Sequence, residues 1–139
     1  EKYYVSAFGQ MKSMGPPVVI SEFGLATYKG AADAGVLGGG IIDWDIDPAE
    51  IDGDYERSEK EHAETLIELL DIFEKEKLAG AFVYTFIEDL TYSDDPKFDL
   101  DMASFGIVKV MPEDQRGEDE TAYWQPKESF NALAERWSS

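Results

Sequence analysis

The sequence contains no cysteine, a single histidine and few basic residues, and each shortage excludes a class of function. Without cysteine the chain forms no disulfide, no thiolate zinc site and no cysteine nucleophile. The cellular compartment stays undetermined, because a cysteine-free chain folds in either redox state. Histidine occurs only at His62 and the Gly-x-Ser-x-Gly motif is absent, so we expect neither a histidine-based metal site nor a Ser–His–Asp triad.

The charge balance is strongly acidic, with 12 lysine and arginine residues against 30 aspartate and glutamate residues and a formal net charge of −18. This charge opposes a phosphate backbone and an anionic membrane surface, so we expect no nucleic-acid partner and no membrane partner. No apolar run approaches the roughly 20 residues that span a bilayer. Positively charged ligands, metal ions and neutral polar substrates remain compatible with the charge.

The length of 139 residues and the hydrophobic fraction of 43% indicate one folded domain rather than a disordered acidic tail. The chain begins at Glu1 instead of methionine, and no signal-peptide pattern follows. We therefore expect a processed product or a piece of a longer protein.

Apolar periodicity divides the chain into helices and strands. The expected helices cover residues 1–13, 58–78 and 126–137. Continuous apolar runs predict two buried strands and a third short strand, over residues 18–20, 81–86 and 105–110. Ser58 and Glu61 form a capping-box pattern, and Gly80 is expected to end the long helix. The rest is predicted as irregular, chiefly residues 25–57, 88–101 and 117–120.

A strand, a helix and a second strand in this order form a βαβ unit, whose strands run parallel. Ligands of parallel α/β folds gather at the carboxyl ends of the strands. Glu22 ends the first strand, while Glu88 and Asp89 follow the second. Two carboxyl groups at one edge are what glycoside hydrolysis needs. Glu22 is the stronger candidate, since Glu88 and Asp89 also fit solvated loop residues.

The acidic segment that begins at Asp43 partly resembles a calcium-binding loop. Its sixth position is Pro48 where glycine is required, and its twelfth is Asp54 in place of glutamate, so we expect no metal site. Trp44 either stacks on a sugar ring or fills the loop as a hydrophobic plug. The glycines of residues 35–40 do not match a phosphate-binding loop, and no cofactor is expected.

Several segments together resemble retaining (β/α)8-barrel glycoside hydrolases. Residues 17–24, Pro-Val-Val-Ile-Ser-Glu-Phe-Gly, resemble the seventh barrel strand, and residues 80–86 resemble the eighth. Residues 99–108 resemble the segment after the eighth strand, and residues 124–130 the start of the last barrel helix. Residues 27–35 are similar to a subgroup of bacterial glycosidase-like proteins, some of which are labelled abortive infection proteins.

The resemblance implies an α/β fold, in which a parallel βαβ unit with flanking helices is the C-terminal portion of a TIM barrel. Residues 1–139 would form a single partial domain, from the sixth to the eighth helix. Because only two of the eight strands are visible, we expect a homo-oligomer or a missing N-terminal barrel portion to complete the sheet.

The resemblance also implies hydrolysis of O-glycosidic bonds in a carbohydrate substrate, with Glu22 as the nucleophile of a retaining mechanism. The acid/base glutamate of such enzymes follows the fourth strand, which is not in this chain, and Glu88 is the nearest substitute. Residues expected to contact the substrate are Tyr28, Asp43, Trp44 and Phe86, the last standing where such enzymes usually have tryptophan. The alternatives are a non-catalytic carbohydrate- or protein-binding module and, more weakly, a calcium-dependent interaction domain.

Overall fold

The computed structural model describes residues 2–116 and 123–138, and the side chains from Val5 onward. The helices of the described residues are α1 (Lys2–Ser13), α2 (Ala31–Ala34), α3 (Glu59–Lys75) and α4 (Glu128–Ser138). The strands are β1 (Val19–Phe23), β2 (Ile42–Asp43), β3 (Glu50–Ile51), β4 (Gly80–Val83), β5 (Val108–Val110) and β6 (Trp124–Pro126). Short 3-10 turns cover Gly35–Leu37, Leu100–Ala103 and Glu113–Gln115. The polar loop predicted over residues 117–120 lies outside the described residues.

The parallel βαβ unit is confirmed. β1 pairs with β4 in parallel, with Val19 opposite Gly80 and Phe23 opposite Val83, and α3 lies between the two strands in the chain. The described strands also form two antiparallel pairs, β2 with β3 and β5 with β6. Within the described residues, the fold is therefore mixed α/β with a two-stranded parallel sheet.

The two strands of the parallel sheet are not buried on both faces, so that prediction is wrong. Val19 is 49% exposed and Phe82 is 63% exposed, and the side chains of Ser21 and Glu22 also face solvent. β4 ends at Val83, before the predicted end at Phe86. The other face of the sheet is covered, because α3 packs against it.

The covered face packs on α3 through aromatic contacts. The ring of Phe73 meets those of Phe23 and Phe8 edge to face, with centroids 5.1 and 5.9 Å apart. Leu66 and Leu70 lie in the same core cluster. This spacing of apolar residues on α3 is the helical pattern visible in the sequence, and it holds the helix against the sheet.

The ends of α3 differ from the prediction in detail. The hydroxyl of Ser58 accepts a hydrogen bond from the amide of Glu61 at 3.2 Å, as expected of an N-cap. The reciprocal half of the capping box is absent, since Glu61 Oε1 accepts from the amide of Gly30 at 2.7 Å instead. The helix ends before Gly80 because Lys77, at φ 54°, takes the left-handed position of a Schellman motif.

Two further predictions are wrong, one of an irregular segment and one of a helix boundary. Residues 25–57 were expected to be irregular, yet they contain α2 and the β2–β3 hairpin. The last helix begins at Glu128 and not at Pro126, because residues 124–126 pair with β5. Among the described residues, no helix is both long and apolar enough to cross a bilayer.

Candidate functional site

The carboxyl ends of β1 and β4 lie side by side. The amide of Tyr84 donates to the carbonyl of Phe23 at 2.8 Å, which continues the pairing past the last residue of β4. Gly24 fits closely here, because a Cβ at this position would collide with the carbonyl oxygen of Tyr84. The side chain of Glu22, one residue before the end of β1, is exposed at this edge. The parallel pairing therefore brings the first predicted carboxylate to the edge where α/β folds bind ligands.

Glu88 follows β4 and is half-buried. Its Oε2 accepts a hydrogen bond from the amide of Phe105 at 2.6 Å. The carbonyl of Phe105 accepts from the amide of Thr85 at 3.2 Å, and the amide of Ile107 donates to the carbonyl of Thr85 at 3.0 Å. Glu88 thus ties the segment after β4 to the loop around residue 105. Asp89 is exposed, as a solvated loop residue would be.

Aromatic side chains line the segment after β4. Phe86 is 46% exposed and meets Trp124 edge to face, with centroids 5.4 Å apart. Tyr84 is 42% exposed and contacts Phe105 in the same way at 6.3 Å. Phe86 was a predicted substrate contact, whereas Tyr84 and Trp124 were not. Trp124 is brought here by the β5–β6 pairing, which the sequence did not indicate.

The remaining predicted contacts lie in the long segment after β1. Trp44 is 65% exposed, so the hydrophobic-plug interpretation is wrong, while sugar stacking stays a prediction. Asp43 is half-buried and accepts the amide of Asp45 at 2.9 Å. Tyr28 is only 5% exposed and packs on Tyr55 at 4.8 Å, so its ring fills the core and leaves little surface for a ligand.

Asp43 also lines a cleft of about 380 Å³ beside the β2–β3 hairpin. Its polar walls come chiefly from carboxylates: Asp43, Glu50, Asp52 and Asp54. Lys97 lines it as well and is paired with Glu50 at 2.6 Å. Within residues 2–116 and 123–138, no group of three or more histidine, aspartate or glutamate side chains is placed to hold a metal ion.

Sequence reasoning missed a cluster of buried charges, which we call the buried ion cluster: Arg57, Asp99, Asp101 and Lys127. Lys127 and Asp101 have no exposed surface, and Lys127 Nζ lies 2.9 Å from Asp101 Oδ2. Arg57 lies 2.9 Å from the same oxygen and 3.1 Å from Asp99 Oδ2. The cluster therefore joins the start of α3, the turn at residues 100–103 and the start of α4.

A second layer surrounds the buried ion cluster. Glu59 accepts from Arg57 at 2.8 Å, lies 3.4 Å from Lys109 Nζ and accepts the amide of Glu128 at 3.1 Å. The ring of Tyr92 lies 5.0 Å below the Arg57 guanidinium and 4.4 Å from the Lys109 ammonium. With Glu59 and Lys109 included, three cations face three carboxylates.

Burial and charge pairing compete in this cluster. Burial alone would lower the pKa of Arg57, but Asp101 and Asp99 outweigh it and the pKa is raised. For Asp101, burial outweighs the attraction of Lys127 and Arg57, so its pKa lies above the usual value. Burial likewise lowers the pKa of Lys127 in spite of Asp101. These charges therefore depend on one another, and removing one leaves the others in a medium that poorly solvates charge.

His62 lies beside this cluster on α3 and is 1% exposed. Burial, followed by the charge of Lys127, lowers its pKa to about 3. The histidine is therefore neutral at physiological pH, and neither ring nitrogen has a hydrogen-bond partner among the described residues. It is a component of the folded core and not a candidate general base.

Comparison with known proteins assigns no family, because no family model and no curated protein matches the chain. The site must therefore be interpreted from its own geometry. That geometry combines an exposed carboxylate at a parallel strand end, a second carboxylate fixed beyond the neighbouring strand, and exposed aromatic rings.

The first testable consequence concerns the buried ion cluster. Lys127→Met should lower the free energy of unfolding by about 3–5 kcal/mol, because it leaves the carboxylate of Asp101 buried without its ammonium partner. Arg136→Met is the control, since Arg136 pairs with the exposed Asp71 at 2.7 Å and its loss should cost about 1 kcal/mol or less. Urea unfolding measures both, and equal losses would contradict the expected difference.

The second consequence is an acid sensitivity that comes from His62. Its pKa is about 3 in the folded chain and about 6.5 when unfolded, so the stability it contributes is complete above pH 6.5 and is lost as pH falls toward 3. Between these values, the unfolding free energy should fall by up to about 1.4 kcal/mol per pH unit more steeply than in His62→Leu. Urea unfolding from pH 7 to pH 4 measures the two slopes, and parallel slopes would show that His62 titrates normally.

Proposed function

We propose that the chain is part of a retaining glycosidase-like (β/α)8 barrel in which Glu22 is the nucleophile. The observation that supports this most directly is the parallel β1–β4 pair, at whose carboxyl edge Glu22 is exposed and beyond which Glu88 is held. Parallel strands present their ligand-binding groups at this edge. The order of the resembling segments agrees with the order of the last two strands of such a barrel.

The open sheet supports the barrel assignment. Parallel strands are normally covered on both faces, yet Val19 and Phe82 are exposed and β1 and β4 each have one unpaired side within the described sheet. Barrel closure removes strand edges. We therefore propose that further strands, from additional sequence or from other copies of this chain, complete the sheet.

The proposed chemistry is a double displacement. A carboxylate oxygen of Glu22 attacks the anomeric carbon while the glycosidic C–O bond breaks, and an acid gives its proton to the departing oxygen. Water then attacks the same carbon, the deprotonated acid takes a proton from that water, and the ester bond to Glu22 breaks. The sugar leaves with its original anomeric configuration, and both carboxyl groups return to their starting states.

The nucleophile needs an acid/base partner. A retaining enzyme holds its two carboxyl groups about 5–5.5 Å apart. Glu88 is the candidate that the chain offers, although its hydrogen bond with the amide of Phe105 uses one carboxylate oxygen. We propose that the acid belongs to the completing strands, with Glu88 as the substitute where they are absent.

Exposed aromatic rings support a carbohydrate ligand. An aromatic face offers apolar contact with one face of a pyranose ring, and Trp44 and Phe86 are both available for such stacking. Asp43 would accept hydrogen bonds from sugar hydroxyls. Tyr28 would contribute only through its buried contact with Tyr55, which shapes the same loop.

A non-catalytic carbohydrate-binding module is the second candidate. The engagement of Glu88 by the Phe105 amide favours it, because a carboxylate that fixes a loop is less available for proton transfer. The exposed aromatic rings serve either function. Catalysis and binding are separated by whether Glu22 alters the rate or only the affinity.

The third prediction tests Glu22. Glu22→Gln should reduce hydrolysis of aryl glycosides to the uncatalysed rate, because the amide cannot form the glycosyl ester. Glu64→Gln, which removes an exposed carboxylate on α3, is the matched control and should leave the rate unchanged. Equal rates for the wild-type chain, both variants and buffer would exclude hydrolysis by this chain and favour the binding module, which titration with oligosaccharides then tests.

The fourth prediction tests the open sheet. Light scattering of the isolated chain should give a mass above the 15.6 kDa of one copy, because association would cover Val19 and Phe82. Phe82→Lys should shift the equilibrium toward the monomer, whereas Val36→Lys, at a position 89% exposed in the α2 region, should not. A stable, well-folded wild-type monomer at all concentrations would contradict completion of the sheet by other copies.

A further inference from the structure

We propose that Thr27 is a positioning residue, whose buried hydroxyl fixes the loop after β1 against the loop that holds Glu88. This inference rests on the proposed function, in which Glu22 and Glu88 are the two carboxyl groups of the site. The hydroxyl of Thr27 joins the segments next to them. The link between the loops can nevertheless be measured without any substrate.

The hydroxyl of Thr27 has a defined direction. Lys127 Nζ donates to Thr27 Oγ1 at 2.9 Å, and Thr27 Oγ1 donates to the carbonyl of Ser104 at 3.0 Å. An ammonium only donates and a carbonyl only accepts, so the hydroxyl must accept from one and donate to the other. All three residues are 0% exposed, so water does not replace these bonds without opening the loops.

The backbone amide and carbonyl of Thr27 are also hydrogen-bonded. Its amide donates to the carbonyl of Met102 at 2.8 Å, and its carbonyl accepts from the amide of Ser58 at 3.1 Å. Thr27 therefore contacts the N-cap of α3, the turn at residues 100–103 and Lys127 before α4. Every polar atom of this residue joins the loop after β1 to another segment.

These bonds lead to both carboxylates of the proposed site. On one side, Gly24 lies between Glu22 and Thr27 and packs against the carbonyl of Tyr84. On the other side, Ser104 precedes Phe105, whose amide binds Glu88 at 2.6 Å. The hydrogen bond from Thr27 to the carbonyl of Ser104 thus connects the segment that follows Glu22 to the loop that binds Glu88.

Two substitutions separate the hydroxyl from the shape of the side chain. Thr27→Val keeps the branched shape and removes the hydroxyl, so the Ser104 carbonyl loses its donor and the Lys127 ammonium loses one acceptor. Thr27→Ser keeps the hydroxyl and removes a methyl group. If shape alone mattered, valine would be tolerated better than serine, whereas a positioning hydroxyl reverses this order.

Hydrogen exchange with mass spectrometry tests the link directly. In Thr27→Val, amides of residues 24–30 and 100–107 should exchange about tenfold faster than in the wild-type chain, while residues 66–73 of α3 should not change. Thr27→Ser should restore most of the protection. Unchanged protection in Thr27→Val, or an equal increase in residues 66–73, would overturn the proposal.

Aryl glycoside kinetics add a readout that a purely structural role would not move. Thr27→Val should lower kcat with little change in KM, and Thr27→Ser should recover kcat, because the hydroxyl acts on the placement of Glu22 and not on binding. An equal rise of KM in both variants would overturn positioning of Glu22. Absence of activity in all three proteins would exclude hydrolysis by this chain, while the exchange result would still decide whether Thr27 links the two loops.

A measurement on the unmodified chain covers the case in which Thr27→Val does not fold. A buried hydroxyl that both donates and accepts should give a slowly exchanging proton signal in the NMR spectrum, with a nuclear Overhauser contact to the loop at Ser104. A Thr27 hydroxyl proton that exchanges at the rate of a solvent-exposed threonine would overturn the proposal.

Discussion

The pairing of Lys127 with Asp101 is the constraint on which much of this structure depends. Both side chains are fully buried, and each would be costly to bury alone. Arg57 shares the same carboxylate oxygen, so three distant segments must meet for any one of the charges to be accommodated. Such a cluster contributes little net stability compared with apolar packing, but it strongly disfavours arrangements in which a partner is missing.

The apolar core and the buried ion cluster hold different parts of the domain. Phe73 and its aromatic neighbours fix α3 against the covered face of the sheet. The charge pairs have directions, and Lys127 continues them through the hydroxyl of Thr27 to the loops at the strand ends. Core packing therefore supplies the βαβ unit, while directional polar bonds place the loops that carry the candidate site.

The predictable and unpredictable parts of the fold divide according to the range of the interactions. The βαβ order, the Ser58 cap and the position of Glu22 follow from patterns within a few residues, and each appears in the structure. The buried ion cluster could not be foreseen, because Lys127 and Thr27 are 100 residues apart and Arg57 and Asp99 are 42 apart. In a chain with so many acidic residues, nothing local marks Asp101 as buried.

Local patterns also gave two wrong predictions, and only the first has a competing tertiary contact as its cause. Glu61 was expected to complete its own helix cap, but it binds the amide of Gly30 on the neighbouring loop. The apolar run over residues 81–86 predicted burial on both faces, yet Phe82 is largely exposed. The first failure reflects a contact that periodicity does not encode. The second marks a face for which the described chain provides no cover.

The exposed face and the proposed chemistry impose the same requirement. Charge that develops at the anomeric carbon is stabilised best by fixed groups in a site from which water is excluded, whereas Glu22 lies at an open edge in this chain. Strands that covered Val19 and Phe82 would also enclose this edge, and in the proposed barrel they carry the acid that Glu88 only partly replaces. Under the proposed function, completion of the sheet and completion of the catalytic pair would therefore be one structural event.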